Sequence, residues 1–213
     1  MPRYEIDAGL YVAPTPAGAY HAVSAPGGEP SRRLLRALLR RESTPPLNVE
    51  GVMAWTGIAE ETQALQLLYH VQGLGWLQGF PEPRQAPAGT LEELLPGLLG
   101  QLSVSGKGLL ADAQGFYVAT QRFSHEAAEE LSALSADIAS MHERHGRLLH
   151  NNIGVGAAAW ALVDAAGCSQ VGFWPLYIGA SRFVLVLGSE PRLQRPAFTE
   201  LVWALSTRYG REE

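Results

Sequence analysis

The tightest constraint on this chain lies in residues 90–213, where apolar runs of strand length follow one another across single-glycine turns, with helical patterns between and around them. Residues 107–112 and 116–121 flank Gly115, and residues 157–164, 169–178 and 182–188 are split at Gly167 and Gly179. Residues 90–102, 124–150 and 196–209 instead carry helical patterns. The order is helix, two strands, long helix, three strands, helix. Strands joined by tight turns pair antiparallel, because a parallel pair needs a crossover of a dozen residues or more. The expected class is α+β with an antiparallel sheet that can leave one face free.

Pro and Gly place the boundaries. The stretch Pro81-Glu-Pro-Arg-Gln-Ala-Pro87-Ala-Gly89 has no apolar period and reads as a semi-rigid connector. It divides the chain into a first domain, residues 1–80, a linker, residues 81–89, and a second domain, residues 90–213. Thr90 is the expected N-cap of the next helix, with Glu92 and Glu93 in its first turn, where the helix dipole favours negative charge.

In the first domain, residues 9–13 and 18–24 suggest a hairpin around Pro14-Thr-Pro16-Ala. Residues 31–41 form a helix with Leu34, Leu35, Leu38 and Leu39 on one face and Arg32, Arg33, Arg36 and Arg40 mostly on the other. Such an arginine face is solvated, or offered to an acidic protein surface or, as the lesser alternative, to DNA, so these four are the candidate partner-binding residues. Helices over 48–55 and 59–72 follow, with Gly57 between them, and Leu74-Gly-Trp-Leu77 leads into a strand. Helix, helix, turn, helix, strand resembles the winged-helix superfamily. That resemblance suggests DNA, but a groove-reading helix needs donors on its exposed face and cations near phosphates. Residues 59–72 offer Glu60, Glu61, Gln63, Gln66, His70 and Gln72 with no Lys or Arg, and a net charge of -5 disfavours a general grip on nucleic acid. The expectation is a protein-interaction module in a winged-helix-like shape. A transcription regulator reading DNA through this domain is the alternative.

Residues of the second domain carry a further resemblance. Lys107-Gly-Leu-Leu-Ala-Asp-Ala-Gln-Gly-Phe-Tyr-Val-Ala resembles the opening hairpin of the roadblock (dynein light-chain, MglB-like) family. Ser124-His-Glu-Ala-Ala-Glu-Glu-Leu resembles its long helix, and Ser181-Arg-Phe-Val-Leu-Val-Leu-Gly-Ser its last strand. The resemblance implies a five-stranded antiparallel sheet with the long helix on one side and the terminal helices on the other. It implies homodimers that pair the long helices and join sheet edges through the third strand, here residues 124–150 and 157–164. It also implies action on or beside small Ras-like GTPases with no active site of the protein's own.

Two stripes mark the long helix. Leu131, Leu134, Ile138, Met141 and Leu148 form an apolar one, expected to cover the sheet. Ala128, Ser132, Ser135 and Ala139 form one of small residues, which would let a second copy approach closely or simply fill the helix. The strand over 157–164 is apolar on both faces and nearly free of charge. At a sheet edge it would be an aggregation hazard unless paired; in mid-sheet it would be paired already. The candidate dimer interface is therefore Ala128, Ser132, Ser135 and Ala139 with Ala157, Ala159 and Ala161.

Chemistry finds little footing. His142, His145 and His150 lie near the end of the long helix, where they complement its dipole, and no cysteine lies near in sequence to complete a metal site. Cys168, the only cysteine, excludes an internal disulfide. The glycines at Gly154-Val-Gly156 are not a phosphate loop. No metal, no cofactor and no catalytic residue is expected; an enzyme would have only His142, His145 and Cys168 to use. Trp160, Trp174 and Trp203 are expected in the core. The opening Met1-Pro-Arg-Tyr-Glu-Ile-Asp does not look like a signal peptide, no apolar run has spanning length, and the single cysteine fits a reducing compartment, so a cytoplasmic protein is expected. A single lysine, Lys107, beside many arginines suggests a GC-rich bacterial source.

Overall fold

The computed structural model describes residues 5–7, 9–154, 156 and 158–210. Its C-terminal part is built on a five-stranded antiparallel sheet. Strands β3 (Lys107–Ala111) and β4 (Tyr117–Gln121) form a hairpin, while β5 (Trp160–Val163), β6 (Ser169–Ile178) and β7 (Ser181–Gly188) form a meander. The spatial order is β4-β3-β7-β6-β5, so the first and third strands of this part in sequence occupy different places: β3 is interior and β5 is an edge. Gly115, at φ 89, closes the first hairpin, and its open α-carbon sits against the long helix near Ala133 and Ser132.

Alternation along the strands loads both faces of the sheet. Leu109, Ala111, Phe173, Val184 and Val186 point to one side and meet the long helix α6 (His125–Arg147). Leu110, Ala119, Leu176, Ile178, Phe183, Leu185 and Leu187 point to the other and meet α5 (Leu91–Leu99) and α7 (Pro196–Tyr209). This is the roadblock-type sandwich that the resemblance implies. The helices begin where their caps dictate. Thr90 and Glu93 exchange bonds as a capping box at 3.4 and 3.1 Å, and Ser124 Oγ accepts the Ala127 N–H at 3.3 Å. Helix α6 ends in a five-residue π turn, Leu148–Asn152.

The N-terminal part runs β1 (Tyr11–Pro14), α1 (Pro16–Val23), α2 (Pro30–Leu39), α3 (Val49–Thr56), α4 (Glu61–Gly73) and β2 (Leu77–Phe80). The expected hairpin over 9–24 is absent: its second arm is α1. Thr15 Oγ1 accepts the Gly18 N–H at 3.2 Å, and Pro16 takes the first helical position, where its missing N–H costs nothing. Gly18 is obligatory for a different reason, since a Cβ there would collide with the Trp76 carbonyl. Strand β1 pairs with β2, sixty-odd residues away, from Tyr11↔Phe80 to Pro14↔Leu77. The order α2, α3, Gly57 turn, α4, β2 is as expected, with Gly57 left-handed at φ 71.

The two parts share one hydrophobic core. Residues Ala19, Ala22, Leu34, Leu38, Leu201, Phe198 and Leu185 belong to a single buried cluster that runs from α1 and α2 through α7 to the sheet. Tyr20 and Phe198 rings lie 6.2 Å apart, and Trp203 Nε1 donates to the Arg41 carbonyl at 2.6 Å. The connector over 81–89 is pinned rather than free. Thr44 N–H donates to the Arg84 carbonyl at 2.9 Å, Ala86 N–H to the Glu42 carbonyl at 2.7 Å, and Arg208 Nη2 to the Gly89 carbonyl at 2.7 Å. Among the described residues no helix is long and apolar enough to cross a membrane.

Candidate protein-interaction site

The long helix is oriented opposite to expectation. Ser132, Ser135, Ala128 and Ala139 are buried on the chain's own sheet, so they are not available to a second copy. Bulky strand residues fill the space: Leu109, Phe173, Val184 and Val186 rise from the sheet, and small residues let the helix settle between them. The serines cost little because each hydroxyl is satisfied inside the helix, Ser132 Oγ donating to the Ala128 carbonyl and Ser135 Oγ to the Ser132 carbonyl, both at 2.7 Å. Leu131 and Ile138 pack at the margin of this contact, while Leu134 is 41% exposed and Leu148 turns outward beyond it. The apolar stripe thus faces outward in part.

Strand β5 is shorter than the expected 157–164 and stands at the sheet edge. Its hydrogen bonds go to β6 alone, in register Trp160↔Phe173, Ala161↔Gly172, Leu162↔Val171 and, after a bulge, Val163↔Ser169. Leu162 and Val163 are 61% and 58% exposed, and Ala161 is exposed as well. Ala159 is half-buried just before the strand, and Ala157 lies outside the described residues. Trp160 is half-buried and donates through Nε1 to His142 Nδ1 at 3.1 Å, which ties the edge to the C-terminal half of α6. Leu162, two residues on, points to that same side of the sheet, beside Val171. Leu134 on α6 and Leu148 and Ile153 in the turn after it are further exposed apolar side chains. Arg182 and Glu143 form an ion pair linking β7 to α6.

His142 therefore has a structural partner, and His145 and His150 are exposed. Among the described residues no group of three His, Cys, Asp or Glu side chains is placed to hold a metal. Cys168 is exposed in the turn after β5, where Asp164 Oδ1 accepts the Ala166 and Cys168 N–H groups at 2.9 and 3.0 Å.

The arginines of α2 form no continuous solvated face: Arg33 is exposed, whereas Arg32, Arg36 and Arg40 are buried or half-buried. Arg32 is 5% exposed; its Nη1 donates to the His21 carbonyl, and Glu29 lies at 3.9 Å. Arg36 donates through Nε to the Ala22 carbonyl at 2.7 Å, through Nη2 to Ala25 at 2.6 Å and through Nη1 to Gly27 at 3.2 Å. Arg33 Nε donates to the Gly28 carbonyl at 3.0 Å, and Arg40 is half-buried. The guanidinium groups of Arg32 and Arg36 thus cap the C-terminal carbonyls of α1, where the helix dipole favours cations, and Arg36 and Arg33 pin the loop that follows. Arg36→Ala is expected to lower stability by about 2–3 kcal/mol, because the freed carbonyls lose a charged donor. Arg36→Lys is expected to recover little, since an ammonium cannot span three carbonyls as the planar fork does. Urea unfolding of the two variants checks both.

His21 sits in the same cluster, stacked on Trp76 with ring centroids 4.0 Å apart. Burial lowers its pKa from the ordinary 6.5; Arg32 lowers it further, Glu29 opposes, and Arg36 adds to the lowering. The folded imidazole is then the weaker base, and the unfolded chain takes up the proton first on acidification. Stability from this group is full above the ordinary value and is lost as pH falls through it toward the folded pKa. His21→Phe, which keeps the stack and removes the titration, is expected to flatten the decline in melting temperature between pH 7.5 and about 5.5. Equal slopes for both chains would show that His21 has no part in it.

The exposed face of α4 bears Gln63, Gln66, Tyr69 and His70, and its N-cap Glu60 holds the Thr62 and Gln63 N–H groups at 3.0 and 2.7 Å. Glu60 has its pKa lowered, first by its bond to Thr62 and then by the Gln63 N–H. A carboxylate kept ionised at that end faces any phosphate with the wrong sign.

The chain matches no protein-family model and no curated protein. Among solved structures it is similar to a roadblock/LC7 domain from Streptomyces avermitilis, at 15% identity and a TM-score of 0.38, covering 56% of this chain and 96% of that one. It is also similar to Myxococcus xanthus MglB, at 14% identity and a TM-score of 0.33, covering 55% of this chain and 88% of that one. The strand order and the helices on the two faces of the sheet carry the fold assignment.

Proposed function

We propose that this chain is a non-catalytic bacterial, cytoplasmic adaptor or regulator that homodimerises and presents the dimer to a regulatory partner protein. One observation carries the reading: β5 is an edge strand with no charged residue among its four, and Leu162 and Val163 are left largely in water. An edge of that kind invites a second strand, and its own twin supplies one with matching sequence. The outward apolar side chains of α6, Leu134 foremost, extend the contact, and Ala159 and Ala161 are small enough to let the two strands close. The interface of the proposal is thus Ala159, Ala161, Leu162, Val163 and Leu134, in place of the small stripe buried on the sheet. The partner class, a small Ras-like GTPase, comes from the resemblance to the roadblock family.

Light scattering on the chromatographed protein tests the dimer. A mass twice the 23.0 kDa of the chain is expected at tens of micromolar, and a strict monomer there overturns the proposal. For the partner, a Ras-like GTPase from the source organism, loaded with GTP or GDP, is expected to co-elute with the dimer in one nucleotide state. Failure in both states removes the GTPase reading while leaving the dimer standing.

A further inference from the structure

We propose that the cleft between the C-terminal end of α5, the end of β4 and the loop entering α7 binds a small anion with several phosphoryl groups, such as pyrophosphate or triphosphate. The cleft has a volume of about 530 Å3 and is lined by three arginines, Arg122, Arg192 and Arg195, with no carboxylate among its lining residues. A chain of net charge -5 has gathered three guanidinium groups at one place. Among the described residues none of the three pairs with a carboxylate, and the side-chain bond they make is one, Arg122 Nη1 to the Ser105 carbonyl at 3.4 Å. The contrast is with Arg32 and Arg36, whose donors are used inside the fold. Three forks, each able to hold two phosphate oxygens, exceed what one phosphate needs and match two or three linked ones.

The backbone points the same way. Arg122 adopts φ 62, a left-handed conformation that a side chain enters at an energetic cost and glycine enters freely. From that backbone the Arg122 side chain lines the cleft, with one long hydrogen bond in return. Arg195 is the N-cap of α7, so the positive end of a fourteen-residue helix dipole adds to the same field. Gly97, Gly100 and Gly106 keep the walls low, and no aromatic ring lines the cleft, so nothing there would stack a nucleobase. The chemistry therefore selects the oligophosphate itself over a nucleoside. The site lies at the β4 end of the sheet, opposite the β5 edge, and stands independently of the dimer.

Isothermal titration of the full chain with inorganic triphosphate and pyrophosphate at low ionic strength tests the site. One binding event per chain is expected, weakening as salt is added and stronger for triphosphate than for orthophosphate. The double variant Arg192→Gln, Arg195→Gln is expected to lose more than about tenfold in affinity. Arg122→Gly is expected to lose affinity while melting at or above the parent temperature, because it sheds the left-handed strain; misfolding then cannot explain the loss. Arg33→Gln, elsewhere on the surface, is expected to bind as the parent does. The proposal is overturned by any of four results: no binding of triphosphate at millimolar concentration, affinity unchanged in the double variant, ATP binding tenfold tighter than triphosphate, or capture by phosphoinositide-containing vesicles without binding of the free anion.

Discussion

Replacing Phe198 with alanine is expected to cost about 3–5 kcal/mol and to loosen the N-terminal and C-terminal parts together, in one transition. Phe198 is fully buried and among the largest side chains in the core. It stands on α7, the helix that α1 and α2 cover on one side and the sheet covers on the other, with the Tyr20 ring 6.2 Å from its own. Truncation leaves a cavity at the junction, and neither neighbour can collapse into it without losing its own contacts. Against a total stability of roughly 5–15 kcal/mol, such a loss brings the chain close to unfolding at 37 °C. Fluorotryptophan NMR during urea unfolding can watch both parts at once, Trp55 and Trp76 in the first and Trp174 and Trp203 in the second. Coincident midpoints are expected for parent and variant alike. If Trp55 and Trp76 melted at an unchanged midpoint while Trp174 and Trp203 shifted, the shared core would not be a cooperative unit, and the connector over 81–89 would separate two independent folders.

Much of this architecture was legible because local rules agreed with the tertiary outcome. The strand runs around Gly115, Gly167 and Gly179 and the cap at Thr90 follow from periodicity and capping, and they survive folding with the run over 157–164 trimmed to Trp160–Val163. Four features depart from these local patterns, each for its own physical reason. Residues 16–23 alternate weakly and sit beside prolines, which suggested a hairpin; yet Thr15-Pro16 is a cap followed by a proline at the first helical position, and that signal was present in the sequence. On α6 the sequence shows two stripes but not the depth of the surface beneath them. Large sheet residues such as Phe173 choose the small stripe, and only their positions reveal it. Arginines on a helix look like a solvated face until the preceding helix is placed. The carbonyls of His21, Ala22 and Ala25 lie within reach of α2 through the turn over 24–29, a distance that no pattern within α2 encodes. The cleft around Arg122, Arg192 and Arg195 joins residues about seventy positions apart, so no local motif announces it.

Leu162→Glu is expected to turn the proposed dimer into a monomer while leaving the fold intact, and these two effects must be separated to learn anything. Leu162 is 61% exposed in the single chain, so a carboxylate there stays in water and the melting temperature of the isolated chain should move little. In a two-fold contact the same position appears twice. Burying a leucine contributes roughly 1.5–3 kcal/mol, so two copies contribute roughly 3–6 kcal/mol, and two like charges brought together add repulsion. At 1.4 kcal/mol per factor of ten, the dissociation constant should rise by about 100-fold or more. Sedimentation velocity across a concentration series reads that change directly. Ser135→Leu is the mirror experiment: Ser135 is fully buried against the sheet, so added bulk should cost about 1–3 kcal/mol of stability through overpacking, with association failing only as the fold does. A Ser135→Leu chain that stays fully stable yet becomes monomeric would put the small stripe back at the interface. A Leu162→Glu chain that dimerises as tightly as the parent would leave the β5 edge without its twin.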